Sequence, residues 1–273
     1  QSCGKALRTY TAAQRLVLLG GEGMYENYIF DFYGTLADIR TNEDSPYLWE
    51  KMSQIYSALG AAYEPEELRR EFRSLEEQEK GRLGMEDAEP DLTKVFSMLY
   101  ERKGTCCEAL QAKMTAVTFR ALSREYIRVY DGVEELLGEL RRRGKGVYLL
   151  SNAQRDFTRP EIGMLGLTDY FDGIFISSEL NCKKPSPVFF QRLLERFGLR
   201  PAECIMIGND ESADIAGAKQ AGMDSLYIHT AISPKEFGKV EATFRVMDGD
   251  FRKVKALLLE EPGCGEADMG LGK

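Results

Sequence analysis

The sequence predicts an α/β protein in which a parallel sheet is flanked by helices and a helical domain is inserted after the first strand. A short apolar run, residues 28–30, ends in the carboxylate of Asp31 and is rich in strand-favouring residues. Helical spacing then extends to about residue 130 without a strand pattern. Four further apolar runs alternate with helices, which implies parallel pairing through right-handed crossovers: residues 147–150, 174–176, 204–207 and 226–228.

Composition limits the classes of function. The chain has 273 residues, of which 43% are hydrophobic and 29% charged, and its net charge is −8. Such an acidic chain is a poor partner for nucleic acid or an anionic membrane, because phosphate demands clustered Lys and Arg. No apolar run reaches the roughly 18 to 20 residues of a membrane span. The six cysteines lack zinc-ligand spacing, and we expect reduced thiols and a cytosolic location.

The ends of the chain are expected to lie outside the fold. The apolar run 16–19 is too short for a secretory signal, and we interpret residues 1–23 as a leader that is either non-native or a short amphipathic arm. A natural start at Met24 fits the first interpretation. Residues 260–273, with their glycines and acids, are expected to form a loose tail.

The inserted helical segment is expected to form a cap over residues 39–130, and the core comprises residues 24–38 and 131–259. Its helices are predicted at residues 49–59, 66–80, 91–102 and 107–129. Gly60 ends the first of them and Pro65 begins the second, whose many charges are most simply a solvated surface. In the core, helices are predicted at residues 134–143 and 251–259.

Polar residues follow the predicted strands of the core. Asp31 stands at the carboxyl end of the first strand, where open α/β sheets bind their ligands. Ser151 and Asn152 follow the second strand and would either bind an anionic group or cap the next turn. Lys184 follows the third strand, and Pro185 is predicted to begin a helix that runs to residue 197 and directs this lysine toward the sheet. An ordinary surface lysine is the alternative.

The fourth strand ends in the most acidic of these segments. Gly208 is followed by Asn209, Asp210 and Glu211, with Asp214 one helical turn later. One or two of these carboxylates would serve as helix caps. A larger number beside Asp31 would repel one another unless a cation lay between them. Mg²⁺ binds such oxygens while keeping waters and substrate phosphate.

Taken in order, the segments Asp-x-Tyr-Gly-Thr, Leu-Ser-Asn, Lys-Pro and Gly-Asn-Asp-x-x-x-Asp resemble the haloacid dehalogenase superfamily of hydrolases, over about residues 28–259. The resemblance implies a Rossmann-like parallel core with a helical cap that selects the substrate. It implies that Asp31 is a nucleophile forming an aspartyl intermediate, and that Ser151 and Lys184 neutralise the transferring group. The catalytic set it implies is Asp31, Tyr33, Thr35, Ser151, Asn152 and Lys184. The Mg²⁺ set it implies is Asp31, Tyr33, Asn209, Asp210 and Asp214.

Two positions depart from the phosphatases of that family. Tyr33 stands where they carry a second Asp that protonates the leaving oxygen, and the dehalogenases also have Tyr there because a halide leaves without a proton. Asn209 stands where their spacing would put an acid. The first hypothesis is a Mg²⁺-dependent phosphohydrolase acting on a small metabolite. The second is a 2-haloacid dehalogenase that forms an aspartyl ester, and the third is a catalytically impaired member that acts as a binding protein.

Overall fold

The computed structural model describes residues 25–234 and 240–259. Within these ranges the strands are β1 Asn27–Phe30, β2 Ala37–Thr41, β3 Arg124–Val129, β4 Gly146–Ser151, β5 Gly173–Ile176, β6 Cys204–Gly208, β7 Asp224–Ile228 and β8 Phe244–Val246. The α-helices are α1 Pro46–Ala58, α2 Pro65–Leu83, α3 Leu92–Arg102, α4 Ala109–Ser123, α5 Val133–Arg142, α6 Arg155–Met164, α7 Ser177–Leu180, α8 Pro187–Phe197, α9 Ala216–Gln220 and α10 Phe251–Leu259. A π-helical turn, Glu211–Ile215, leads directly into α9. The predicted leader and tail lie outside the described residues.

Six strands form one parallel sheet in the order β5-β4-β1-β6-β7-β8, which confirms the predicted fold class. The central strand β1 pairs with β4 on one side and with β6 on the other, and its apolar side chains are fully buried. Strands covered by helices on both faces are buried throughout, which is why they appear as continuous apolar runs in the sequence. Phe30 lies opposite both Leu149 and Ile207, so β1, β4 and β6 end within two residues of one another along the sheet.

Helices α1 to α4 form a cap with a hydrophobic core of its own. Its centre is a set of aromatic rings whose centroids lie 5.2 to 5.6 Å apart, contributed by Trp49, Phe72, Phe96 and Phe119. Phe157 of α6 also packs on this cluster and joins the cap to the sheet domain. The limits that the sequence suggests for the two domains stay a prediction.

The prediction of a helix over residues 107–129 is wrong over its last six residues. Helix α4 ends at Ser123, and the following residues form β3, which pairs antiparallel with β2 to make a two-stranded ribbon between cap and core. Asp38 on β2 accepts hydrogen bonds from Arg128 at 2.7 and 2.9 Å and from Tyr126. These cross-strand pairs stabilise the ribbon. The vicinal Cys106 and Cys107 precede α4 and are not helical.

Pro185 does not begin a helix, contrary to the prediction. Helix α8 begins at Pro187, after Ser186 as its N-cap, and the peptide bond between Lys184 and Pro185 is cis. The sequence contains two suitable prolines, and the first belongs to the preceding loop. The pattern also missed β8. Helix α6 lies between the first two of the four later apolar runs, where a helix is expected, and contains Pro160. Within the described ranges no helix is both long enough and apolar enough to cross a membrane.

Candidate active site

Asp31 lies at the carboxyl end of β1, in the middle of the sheet, and its side chain is almost completely buried. Its backbone N–H donates to the carbonyl of Ile207 at 2.9 Å, which continues the pairing of β1 with β6 by one residue. The chain then turns at Gly34, where φ is +83° and a Cβ would lie 2.3 Å from Asn209 Nδ2. Only glycine permits this close approach in a left-handed turn.

Lys184 lies between two carboxylates. Its Nζ is 2.6 Å from Asp31 Oδ1 and 2.7 Å from Asp214 Oδ1, and it also donates to the carbonyl of Leu150 at 2.7 Å. Burial opposes the charge of the lysine, but the two carboxylates outweigh this effect and raise its pKa. Burial also raises the pKa of Asp214, and the attraction of Lys184 only partly offsets it. With both carboxylates ionised, this buried group has one positive charge for two negative ones.

Asn152 holds the backbone on which Lys184 is carried. Its Oδ1 accepts from the N–H of Lys184 at 2.7 Å, and its Nδ2 donates to the carbonyl of Lys184 at 3.0 Å. The Asn152 side chain therefore bonds both backbone polar groups of Lys184 and fixes this part of the loop. The neighbouring hydroxyl of Ser151 is buried and has no hydrogen-bond partner among the residues that the structure describes. A buried donor without a partner is costly, and at the end of a strand beside Asp31 it is available to a ligand.

The residues after β6 divide into two groups. Asn209 and Asp214 are buried and join the cluster around Asp31, since Thr35 Oγ1 lies 3.2 Å from Asp31 Oδ2 and 3.3 Å from Asn209 Oδ1. Asp210 serves instead as the N-cap of the π-helical turn. Its Oδ1 accepts from the N–H of Ser212 at 2.8 Å and from that of Ala213 at 3.1 Å.

Replacing Asp210 with Ala should therefore act mainly on stability. Loss of an N-cap carboxylate costs about 1 kcal/mol of the free energy of unfolding. Asp210→Ser keeps an oxygen at the cap and should retain most of that stability. Urea denaturation of the two variants measures the difference. Equal destabilisation by Ala and Ser, or a change in metal affinity with no change in stability, would contradict the capping role.

The hydroxyl of Tyr33 forms its hydrogen bonds with helix α6 and not with Asp31. It donates to Glu161 Oε2 and lies 3.0 Å from Thr158 Oγ1. Burial raises the pKa of the Tyr33 hydroxyl; the nearby Arg120 guanidinium opposes the rise and Glu161 adds to it. The phenol is thus held as a hydrogen-bond donor to a carboxylate.

Glu161 is the centre of a buried ionic cluster that sequence reasoning missed. Arg120 Nε and Arg124 Nη1, both from the cap side, each lie 2.8 Å from Glu161 Oε1. The Arg120 guanidinium also lies over the Tyr33 ring at 5.3 Å. No local pattern signals these contacts, because they join positions that are distant along the chain.

Three side chains of the predicted Mg²⁺ set are engaged by other groups: Tyr33 by Glu161, Asp210 by the π-helical turn and Asp214 by Lys184. In the part of the chain that the structure describes, no three His, Cys, Asp or Glu side chains converge in an arrangement that could hold a metal ion. The oxygens of Asp31 and Asn209 nevertheless share the single hydroxyl proton of Thr35. Mg²⁺ usually takes one or two carboxylates and completes its shell with waters and substrate phosphate. An excess of acceptors beside Asp31 fits such an ion.

The structure thus combines a parallel sheet, a buried Asp–Lys–Asp cluster at the ends of its strands and an inserted helical cap. The family model of haloacid dehalogenase-like hydrolases matches residues 25–222. The chain belongs to this family and is a hydrolase.

Known proteins of two activities are similar to it. A phosphoserine phosphatase of Thermus thermophilus is 32% identical over 167 residues, which are 61% of this chain and 65% of that protein. The chain thus spans less than two thirds of the length of this relative. A HAD phosphatase from Thermococcus onnurineus shares the fold with a TM-score of 0.55 and 22% identity, covering 86% of this chain and 99% of that one. A 2-haloacid dehalogenase from Pseudomonas syringae pv. Tomato DC3000 shares it with a TM-score of 0.58 and 20% identity, covering 85% and 97%.

Proposed function

We propose that this protein is a Mg²⁺-dependent phosphohydrolase that acts on a small phosphorylated metabolite through an aspartyl-phosphate on Asp31. The observation that carries the proposal is the buried Ser151 hydroxyl at the end of the strand beside Asp31, which has no partner within residues 25–234 and 240–259. A phosphoryl group spreads its charge over three oxygens, each of which needs a donor or a cation. A 2-haloacid presents the two oxygens of its carboxylate beside the reacting carbon and so would use fewer donors. The activity of the curated relative supports the same reading.

The reaction would begin at the carboxylate of Asp31. Lys184 contacts its Oδ1 and Thr35 contacts its Oδ2, and one of these two oxygens would attack phosphorus while the other stays bound. As the new P–O bond forms, the bond to the leaving oxygen breaks. Ser151 and Lys184 stabilise the charge on the phosphoryl oxygens. Water then attacks phosphorus, releases phosphate and restores the carboxylate.

The carboxylate of Asp31 and the Oδ1 atom of Asn209 would hold the metal ion. Asp214 would pair with Lys184 as its counter-ion. The ion would supply positive charge to the phosphoryl oxygens and offset the surplus negative charge of the cluster. Asn209 is neutral, so its oxygen adds a ligand without adding further repulsion to Asp31 and Asp214.

Release of phosphate or halide decides between the two activities. The protein should be assayed with acetyl phosphate, an alkyl phosphate and 2-chloropropionate, each with and without Mg²⁺. The proposal predicts phosphate release that depends on Mg²⁺ and no halide release. Halide release without metal would support the dehalogenase instead, and inactivity on every substrate would favour a binding protein.

The dehalogenase stays the second candidate because of Tyr33. The Tyr33 hydroxyl donates to Glu161 and so is not placed to protonate a leaving group. Asp38, an acid seven residues after the nucleophile, pairs with Arg128 in the two-stranded ribbon. A halide needs no proton, so this arrangement would not hinder its departure.

For a phosphohydrolase the same contacts predict a dependence on the leaving group. Alkoxide leaving groups need a proton donor, whereas carboxylates leave without one. Wild type should therefore hydrolyse acetyl phosphate at least about a hundredfold faster than an alkyl phosphate. Tyr33→Asp places a carboxyl group at this position and should raise kcat/KM for the alkyl ester more than for the acyl phosphate. Steady-state kinetics on both substrates measure the ratio. Comparable wild-type rates on the two would mean that another group supplies the proton.

We also propose a cytosolic location and division of the chain into core and cap at the limits given above. The four cysteines that the structure describes are free thiols, as expected in a reducing compartment. The cap's separate aromatic core supports the division.

A further inference from the structure

The turn after β7 lies directly against the loop that carries the nucleophile. Thr230 Oγ1 donates to the carbonyl of Gly34 at 2.6 Å, and the N–H of Ser233 donates to the carbonyl of Thr230 at 3.1 Å. Both side chains are buried. The turn thus brings a serine hydroxyl to the side of Asn209 that faces away from Asp31.

Hydrogen bonds in this turn fix which way the Asn209 amide points. Ser233 Oγ accepts from the N–H of Thr230 at 2.9 Å and from Asn209 Nδ2 at 3.3 Å. Its own proton has an acceptor in Thr230 Oγ1, 3.3 Å away, because the Thr230 proton is already given to Gly34. With its NH₂ group on Ser233, the amide turns its oxygen toward Thr35.

This orientation of the Asn209 amide is the less favourable one beside a carboxylate that has no cation bound to it. An amide NH₂ group turned toward Asp31 could donate to it, whereas an amide oxygen adds another acceptor to a region that already holds two carboxylates. A cation between these oxygens reverses the preference. The orientation is therefore useful when a metal ion is bound.

We infer that Ser233 is a positioning residue that holds the Asn209 amide with its oxygen toward Asp31 and so completes a site for a divalent cation. The inference rests on the proposed function and names a residue outside the four motifs. Partners of this kind, which orient a metal ligand without touching the metal, typically contribute 10- to 100-fold in metal affinity.

The test is Mg²⁺ binding by the full chain, measured by isothermal titration calorimetry. Ser233→Ala should weaken Mg²⁺ binding by about tenfold or more. Ser233→Thr keeps the hydroxyl and should restore most of the affinity. Thermal denaturation without metal checks that each variant is folded.

The Asn209→Asp variant is a second background, in which a positioning role of Ser233 can be distinguished from a general loss of structure. A carboxylate presents an oxygen in either orientation, so in Asn209→Asp protein the loss of Ser233 should change Mg²⁺ affinity less than about twofold. An independent readout is the side-chain NH₂ resonance pair of Asn209 in metal-free protein, identified by its absence in Asn209→Asp. Ser233→Ala should shift this pair.

The following outcomes would contradict the inference. If Ser233→Ala binds Mg²⁺ as wild type does, or loses the same factor in both backgrounds, Ser233 does not act through Asn209, while Mg²⁺-dependent phosphate release would still support the proposed function. If wild type binds no Mg²⁺ at millimolar concentration, the cation site and the metal requirement of the proposed function fail together. Unchanged Asn209 resonances in Ser233→Ala would contradict the hydrogen bond itself.

Discussion

Replacing Asp31 with Asn is expected to lower turnover by several orders of magnitude while the protein stays folded. The amide keeps the shape of the side chain but cannot attack phosphorus or carbon. Because Lys184 would still be paired with Asp214 at 2.7 Å, the buried ammonium keeps a counter-charge. Turnover on acetyl phosphate and the melting temperature measure the two effects.

Asp38→Asn is a matched control for this substitution. Asp38 is also a buried carboxylate on an adjoining stretch of chain, but its partners are Arg128 and Tyr126 in the ribbon. It should alter stability more than the chemical step. Activity of Asp31→Asn within about tenfold of wild type would remove Asp31 from the role of nucleophile.

Replacing Lys184 with Met should lower turnover by about a hundredfold or more, because the charge that stabilises the transition state is lost. It should also lower the free energy of unfolding by about 3–5 kcal/mol, since Asp31 and Asp214 would lose their shared counter-ion in a buried site. Activity assays and urea denaturation measure the two losses.

Lys183→Met is the control, because Lys183 precedes Lys184 but its side chain is not in the cluster. Its backbone N–H donates to the carbonyl of Asp87, and substitution leaves that bond in place. Its effects should be small. Equal effects of the two substitutions, or the reverse order, would contradict the placement of Lys184 beside Asp31.

The sequence predicted the parts of the fold that depend on local pattern. Strand β1 and its terminal Asp31 could be predicted because buried parallel strands form apolar runs and because ligands gather at their carboxyl ends. Ser151, Lys184 and Asp214 could be expected beside Asp31 for the same reason. Strand β3 was missed because charged and apolar residues do not alternate regularly along its sequence, Arg-Glu-Tyr-Ile-Arg-Val, and because it follows directly from α4 with no glycine or proline between them.

Contacts between distant segments could not be predicted. Glu161 lies in a helix of ordinary composition, and its importance comes from Tyr33 and Arg120, which are 128 and 41 positions away. The carboxylate of Asp210 and that of Asp214 look alike in sequence. The π-helical turn directs the first to its own N-terminus and buries the second beside Lys184. Which acid caps and which faces the site depends on this geometry.

The most direct test between an aspartyl-phosphate and an aspartyl ester at Asp31 is the fate of solvent oxygen. The protein should be incubated with acetyl phosphate and Mg²⁺ in H₂¹⁸O, and separately with 2-chloropropionate, for many turnovers. Phosphate and the peptide that contains Asp31 are then analysed by mass spectrometry. Hydrolysis of an aspartyl-phosphate at phosphorus puts ¹⁸O into the released phosphate and leaves Asp31 unlabelled, which is the result we expect. Release of chloride with ¹⁸O entering the Asp31 carboxylate would show attack of water on an aspartyl ester and would contradict the proposed phosphohydrolase.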